Sequence, residues 1–338
     1  MAKMFLRAAM MAAGVIVGLS GADAQTKVKF TLDWKFEGPA TPYFVALDKG
    51  YYKDEGLEVT IDPGNGSVDS VNRVASGVYD MAFADISALI KFRDKKENAA
   101  VKAVAMVYDS PPNSIITLKK TGIKTPKDLE GKILGAPAAD ASFSVWPIFA
   151  KVNNIDVSKV KIENIGFPVR EPMLAQGKVD AVTGFYFSSF FNLKTNGVAD
   201  DDIVFLMMRD LGVEVYGNAL MVHPKFAADN PKAVAGFVRA TLRGIQETIK
   251  SPETAIKSLM TRNQIVAEAT ELQRLKMALE RNIVTKEVEA NGLGAVDMAR
   301  LTRSIEQIAL TFNYANKPKA EDVFDAQYLP AKDQRMAK

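Results

Sequence analysis

An eight-residue echo within the chain constrains its fold more than any other feature. Ala75-Ser76-Gly77-Val78-Tyr79-Asp80-Met81-Ala82 is matched, residue class for residue class, by Ala175-Gln176-Gly177-Lys178-Val179-Asp180-Ala181-Val182. Each copy reads as a helix ending at glycine, a turn holding an aspartate, and a short buried strand. Around the first copy, apolar alternation predicts strands at 28–32, 57–61, 79–83 and 101–107, with helices over 43–49, 67–76 and 87–94 between them. That β-α-β-α-β-α-β order is the pattern of a mostly parallel sheet covered on both faces. A second series follows, with strands at 132–135, 161–165, 181–183 and 203–207. Two extended runs, 113–118 and 217–222, stand apart from these series, and from Pro224 onward the pattern is almost wholly helical. The spacing therefore predicts two doubly wound α/β lobes of like topology. Open sheets of this kind bind ligands outside the carboxyl ends of their strands. Two lobes facing each other would form a cleft.

Length agrees with two units, since 338 residues exceed the roughly 250–300 that one core sustains. The chain is 48% hydrophobic and 25% charged, enough for a real core. Residues 1–24 differ from the rest. Lys3 and Arg7 precede an uncharged run from Ala8 to Leu19, and Ala22-Asp23-Ala24 provides a small-residue cleavage site. This is the three-part pattern of a secretory signal peptide, cleaved after Ala24. Its apolar run is too short for a bilayer, which needs about 20 residues. Without Lys3, Arg7 and Asp23, 41 basic and 39 acidic side chains remain, net +2. That balance argues against nucleic-acid binding, which requires a concentrated basic face. The absence of cysteine rules out a lipid-anchored N-terminus, disulfides and thiolate metal sites. The expectation is a soluble, monomeric periplasmic protein with no membrane-spanning segment.

The densest candidate cluster follows the first strand: Asp33, Trp34, Phe36 and Glu37 in a loop, then Tyr43 on the next helix, with Thr41 as its cap. These rings serve either as core or as a ligand wall. Gly64-Asn65-Gly66-Ser67 forms a tight turn before a helix that Ser67 would cap. Ser142 stands likewise at the second lobe's first helix. Either helix start can hold an anionic or polar group, or is simply capped. Asp33, Glu37, Asp85 and Asp140 fall in cleft loops, where they bind a cation, cap helices or face solvent. Together they weigh against a strongly anionic ligand. Trp34, Phe36, Tyr43, Phe185, Tyr186 and Tyr216 suit a flat, partly apolar ligand. The opposite wall is expected at 136–144, with Ala138, Asp140 and Ser142, and at 184–186, with Gly184, Phe185 and Tyr186. Asn218 joins Glu37 and Asp85 as a hydrogen-bonding candidate.

Catalytic patterns are sparse. The single histidine, His223, precedes Pro224 and reads as structural. Zinc-protease helices, nucleophile elbows and phosphate loops have no counterpart here. No catalytic residue, metal or cofactor is expected.

The chain nevertheless resembles a known family. A strand ending in Leu32-Asp33-Trp34, then Lys49-Gly50-Tyr51-Tyr52-Lys53-Asp54-Glu55-Gly56-Leu57-Glu58-Val59 and Ala75-Ser76-Gly77, resemble a periplasmic substrate-binding protein of an ABC importer. The segment Gly122 to Lys132 and the pair Asn230-Pro231 extend the likeness over most of the chain. The branch is that of nitrate, sulfonate, taurine and thiamine-pyrimidine precursors. The resemblance implies a type II periplasmic-binding-protein fold with a ligand cleft and two hinge crossings. On it, 25–112 is the first part of lobe I, 113–218 is lobe II, and 219–338 completes lobe I with C-terminal helices. It also implies an ABC permease and ATPase as partners and a pyrimidine-like solute stacked on Trp34. An alkylsulfonate, taurine or nitrate anion at the helix starts is the alternative. Ala40 stands where the thiamine-precursor members carry a histidine, and the cysteine cluster of pyrimidine-forming relatives is absent. The chain is therefore expected not to be an enzyme, with a periplasmic enzyme on the same scaffold, or a sensory subunit, as the other readings.

Overall fold

A computed structural model describes residues 25–337. The expected leader and its cleavage after Ala24 lie outside them. Among the described residues, ten strands form two five-stranded sheets. In chain order they are β1 (Thr26–Thr31), β2 (Leu57–Asp62), β3 (Met81–Asp85), β4 (Lys102–Met106) and β5 (Asn113–Leu118), then β6 (Ile133–Ala136), β7 (Lys161–Asn164), β8 (Ala181–Phe185), β9 (Ile203–Met207) and β10 (Asn218–Val222). The sheet orders are β2-β1-β3-β10-β4 and β7-β6-β8-β5-β9. The two orders are equivalent, and the echoed segments lead into the equivalent strands β3 and β8.

The echo has a physical basis. Gly77 and Gly177 adopt φ of +76° and +71°, which ends each helix in a left-handed turn. Each following aspartate then grips a neighbouring strand. Asp80 Oδ2 accepts from Lys29 N, and Asp180 Oδ2 accepts from Ile133 N, both at 2.8 Å.

The expectation of mostly parallel sheets needs correction. Both sheets are mixed, because the two runs outside the βα series insert as antiparallel strands. β10 lies between β3 and β4, and β5 lies between β8 and β9, each antiparallel to both neighbours. Both strands are buried throughout, as strands at a sheet centre must be. β10 returns the chain to the first sheet, and Phe324 and Gly294 later bridge β4 there.

Under the first sheet, Phe30 packs edge-on against Tyr43 and Phe237, with ring centroids 5.2 and 5.0 Å away. Tyr43 therefore lies in the core, against helix Pro231–Lys250. Among the described residues, no helix is long and apolar enough to cross a membrane.

Candidate functional site

The carboxyl ends of β1, β3 and β8 and the turn after β6 converge where the sheets face each other. Two adjoining, partly open pockets lie between them, with about 320 and 350 Å³ of space counted out into solvent. Asp33, Trp34, Phe185 and Ser188 line both. The first cavity is completed mainly by Ser67, Asp140, Phe167 and Arg170. The second is aromatic, with Phe83, Tyr108, Phe187 and the buried edge of Tyr43.

Asp33 sits at the join. One carboxylate oxygen accepts from Ser67 Oγ at 3.1 Å and from Asn218 Nδ2 at 2.6 Å. Burial pushes its carboxyl up to about 7, although these two hydrogen bonds act the other way. Asp85 is pushed up to about 6 by burial, and its Oδ1 accepts from Ser87 N at 2.8 Å. The Asn113 and Ser87 side chains oppose that shift by hydrogen bonding toward it, while among the described residues Asn218 Oδ1 nearby is buried without a hydrogen-bond partner. The seam between the sheets thus keeps unused hydrogen-bonding capacity.

The facing wall is built on Arg170, 3% exposed. Its Nε donates to Glu171 Oε1 at 2.8 Å, and its Nη1 lies 4.0 Å from Asp140 Oδ2. Burial would lower its pKa, but Glu171 and Asp140 outweigh that and raise it. The guanidinium lies over the rings of Trp34 and Phe167, at 5.8 and 5.6 Å. Those rings meet edge-on across the cleft, with centroids 4.6 Å apart. Burial raises the pKa of Asp140, while Arg170 and Thr183 Oγ1, which donates to it at 2.5 Å, oppose the shift.

Several expected residues lie elsewhere. Phe36 packs edge-on against Phe44 at 4.9 Å, away from the cavities. Asn65 and Ala138 are exposed on the turns. Tyr186 donates to Met277 O at 2.8 Å on the C-terminal helices. Tyr216 donates to Glu287 at 2.7 Å and lies beneath Arg300. Gly184 is packed so tightly that an added Cβ would sit 2.8 Å from Ser189 Oγ. The helix caps also differ from expectation. Ala40 caps the first helix in place of Thr41, Gly66 occupies the position given to Ser67, and Asp140 caps the helix given to Ser142. Ser67 Oγ is engaged instead by Asp33 and by Asp85 N, while Ser142 Oγ donates to Asn113 Oδ1 at 3.1 Å.

Phe167, Arg170 and Ser188 escaped the sequence reading. Phe167 and Arg170 follow β7, in a short proline-containing turn with no periodic signal. Ser188 hid in a helical run that reads as core.

The family model described as NMT1/THI5 like matches residues 39–255. The formylaminopyrimidine-binding protein of Halalkalibacterium halodurans is 27% identical over 265 residues, covering 77% of this chain and 78% of that protein. A Legionella pneumophila protein named 4-amino-5-hydroxymethyl-2-methylpyrimidine phosphate synthase is 26% identical over 239 residues, covering 70% and 73%. Other relatives share that name. Among solved structures, the alkanesulfonate-binding protein SsuA of Xanthomonas axonopodis pv. citri superposes with a TM-score of 0.68 at 13% identity, covering 89% and 99%. The fold is that of the periplasmic binding proteins. The expectation that the chain is not an enzyme is corrected by the synthase relatives. The binding-protein relative covers 77% of this chain and the Legionella synthase 70%, so the family spans both binding proteins and named enzymes.

Proposed function

The chain belongs to the NMT1/THI5-like family, and on that footing we propose that it captures a small, flat, polar heteroaromatic solute between its lobes. It then delivers the solute, after export to the periplasm, to a membrane permease coupled to an ATPase. The observation that carries this reading is the paired cavity, where Trp34, Phe167 and Phe185 stand around a polar floor of Asp33, Ser67 and Asp140. Aromatic walls with a few placed polar groups suit a planar ligand with a hydrogen-bonding edge. A formylaminopyrimidine-binding relative points to the same chemistry. Ligand contacts on both lobes would favour the closed arrangement.

A thermal-shift screen over pyrimidines, aromatic acids, sulfonates and nitrate tests this. A pyrimidine at a hundredfold its Kd should add about 2.7 kcal/mol of stability. Trp34→Ala should abolish that gain, and unchanged stabilisation in the variant would overturn the stacking role. Mass spectrometry of the same samples scores any conversion of the ligand.

Arg170 supports a second reading, in which the solute carries an anionic or carbonyl acceptor. Stabilisation by sulfonates that strengthens at low salt and survives Trp34→Ala would favour it.

A further inference from the structure

Glu37, an expected ligand contact, has both carboxylate oxygens engaged by protein. Oε1 accepts from Trp34 Nε1 at 3.1 Å. Oε2 accepts from Ser188 Oγ at 2.6 Å and lies 3.5 Å from Arg274 Nε. The residue is 8% exposed. Trp34 belongs to the loop after β1, Ser188 to helix Tyr186–Thr195 after β8, and Arg274 to helix Glu268–Ala278. A single carboxylate therefore joins the cavity's main ring to the opposite wall and to the C-terminal helices. Other contacts converge on this joint. Arg274 lies over Phe191, on the helix of Ser188, at 5.3 Å, and donates to Glu271, whose other oxygen accepts from Gly38 N at 2.6 Å. At the start of that same helix, Tyr186 binds Met277 O and Asn282.

We propose that Glu37 is a positioning residue: it orients Trp34 and ties it to Ser188 on the opposite wall, so that the stacking ring is held in its pose before ligand arrives. Glu37 also lines the second cavity, and its two protein donors fix the direction in which its remaining lone pairs face. The proposal rests on the solute-binding reading for its purpose, but the joint itself can be examined without ligand.

The chain has two tryptophans, Trp34 and Trp146, so ¹⁵N-indole spectra of the ligand-free protein contain two signals to assign. Glu37→Ala should move the Trp34 signal, and Ser188→Ala should move it too, leaving Trp146 in place. Glu37→Gln, which keeps an oxygen for the indole, should preserve more of the wild-type shift and guards against a misfolded alanine variant. With formylaminopyrimidine as probe, Ser188→Ala and Glu37→Ala should each speed dissociation about tenfold, the scale of one hydrogen bond to a charged group. The double variant should be no faster than Glu37→Ala alone. A Trp34 signal indifferent to Ser188→Ala, or off-rate effects that multiply in the double variant, would overturn the tie. If formylaminopyrimidine fails to bind, the indole spectra still decide the tie, and only the choice of solute falls.

Discussion

At the scale of single residues, burial sets the chemistry of the cleft. Asp33 titrates in an ordinary range when unfolded, near 4, and at about 7 when folded. Between those values the folded state holds a proton that the unfolded state has released. The stability that Asp33 contributes should therefore be full below about pH 4 and be lost as pH rises through about 7. Asp85 adds a loss of the same sign up to about pH 6. Lys91, pushed down to about 8 by burial, stays charged across that window and does not reverse the slope. Asp33→Asn keeps an oxygen for Asn218 and should flatten the fall, as urea unfolding at pH 5 and pH 7 would reveal. An unchanged slope would place the titration elsewhere. The aromatic character of Trp34 and Phe185 was legible in the sequence. Arg170 was not, because a basic residue in a Pro-Val-Arg-Glu-Pro run looks like a solvated helix start.

At the scale of elements, the echo was legible because it encodes local chemistry: a left-handed glycine, then an aspartate that bonds a backbone amide. Replacing either aspartate removes a charged acceptor from a strand amide, a loss of about 1–3 kcal/mol. The Asp180 bond is partly buried and the Asp80 bond is exposed. Asp180→Ala should therefore lower the urea midpoint more than Asp80→Ala, and equal losses would contradict that reasoning. The helix starts were harder to read. Ser67 and Ser142 have the composition of caps, but Gly66 with φ +100° and Asp140 take those positions. Gly66 is also held by tertiary contact, since a Cβ there would come within 2.5 Å of Ala139 O across the cleft. Propensity describes a cap without its neighbours, and here a second lobe is one of the neighbours.

For the molecule as a whole, the decisive contacts join segments far apart in the chain. Arg300, on helix Met298–Ala309, donates to the side chain and carbonyl of Asp109 at 3.0 and 2.7 Å, and lies 3.7 Å over Tyr216. Asp109 lies in the passage from β4 to β5 and Tyr216 in the passage from β9 to β10, so one guanidinium holds both crossings between the sheets. Arg300→Ala leaves the nearly buried Asp109 without its cation and should cost about 3–5 kcal/mol in chemical denaturation. Arg300→Lys should recover little, because an ammonium cannot stack as a plane over Tyr216. Full recovery would reduce the clamp to simple charge pairing. By itself, the sequence determined the two α/β series, the likeness of their turns and the aromatic loop after β1, because these follow from residues near one another in the chain. Only the tertiary structure decided that β5 and β10 run antiparallel inside the sheets, that Tyr216 is bound by Glu287 and Arg300 rather than facing the cleft, and that Glu37 is engaged by Trp34 and Ser188. Those outcomes depend on partners up to 151 residues distant, and local periodicity carries no information about which distant groups burial will bring together.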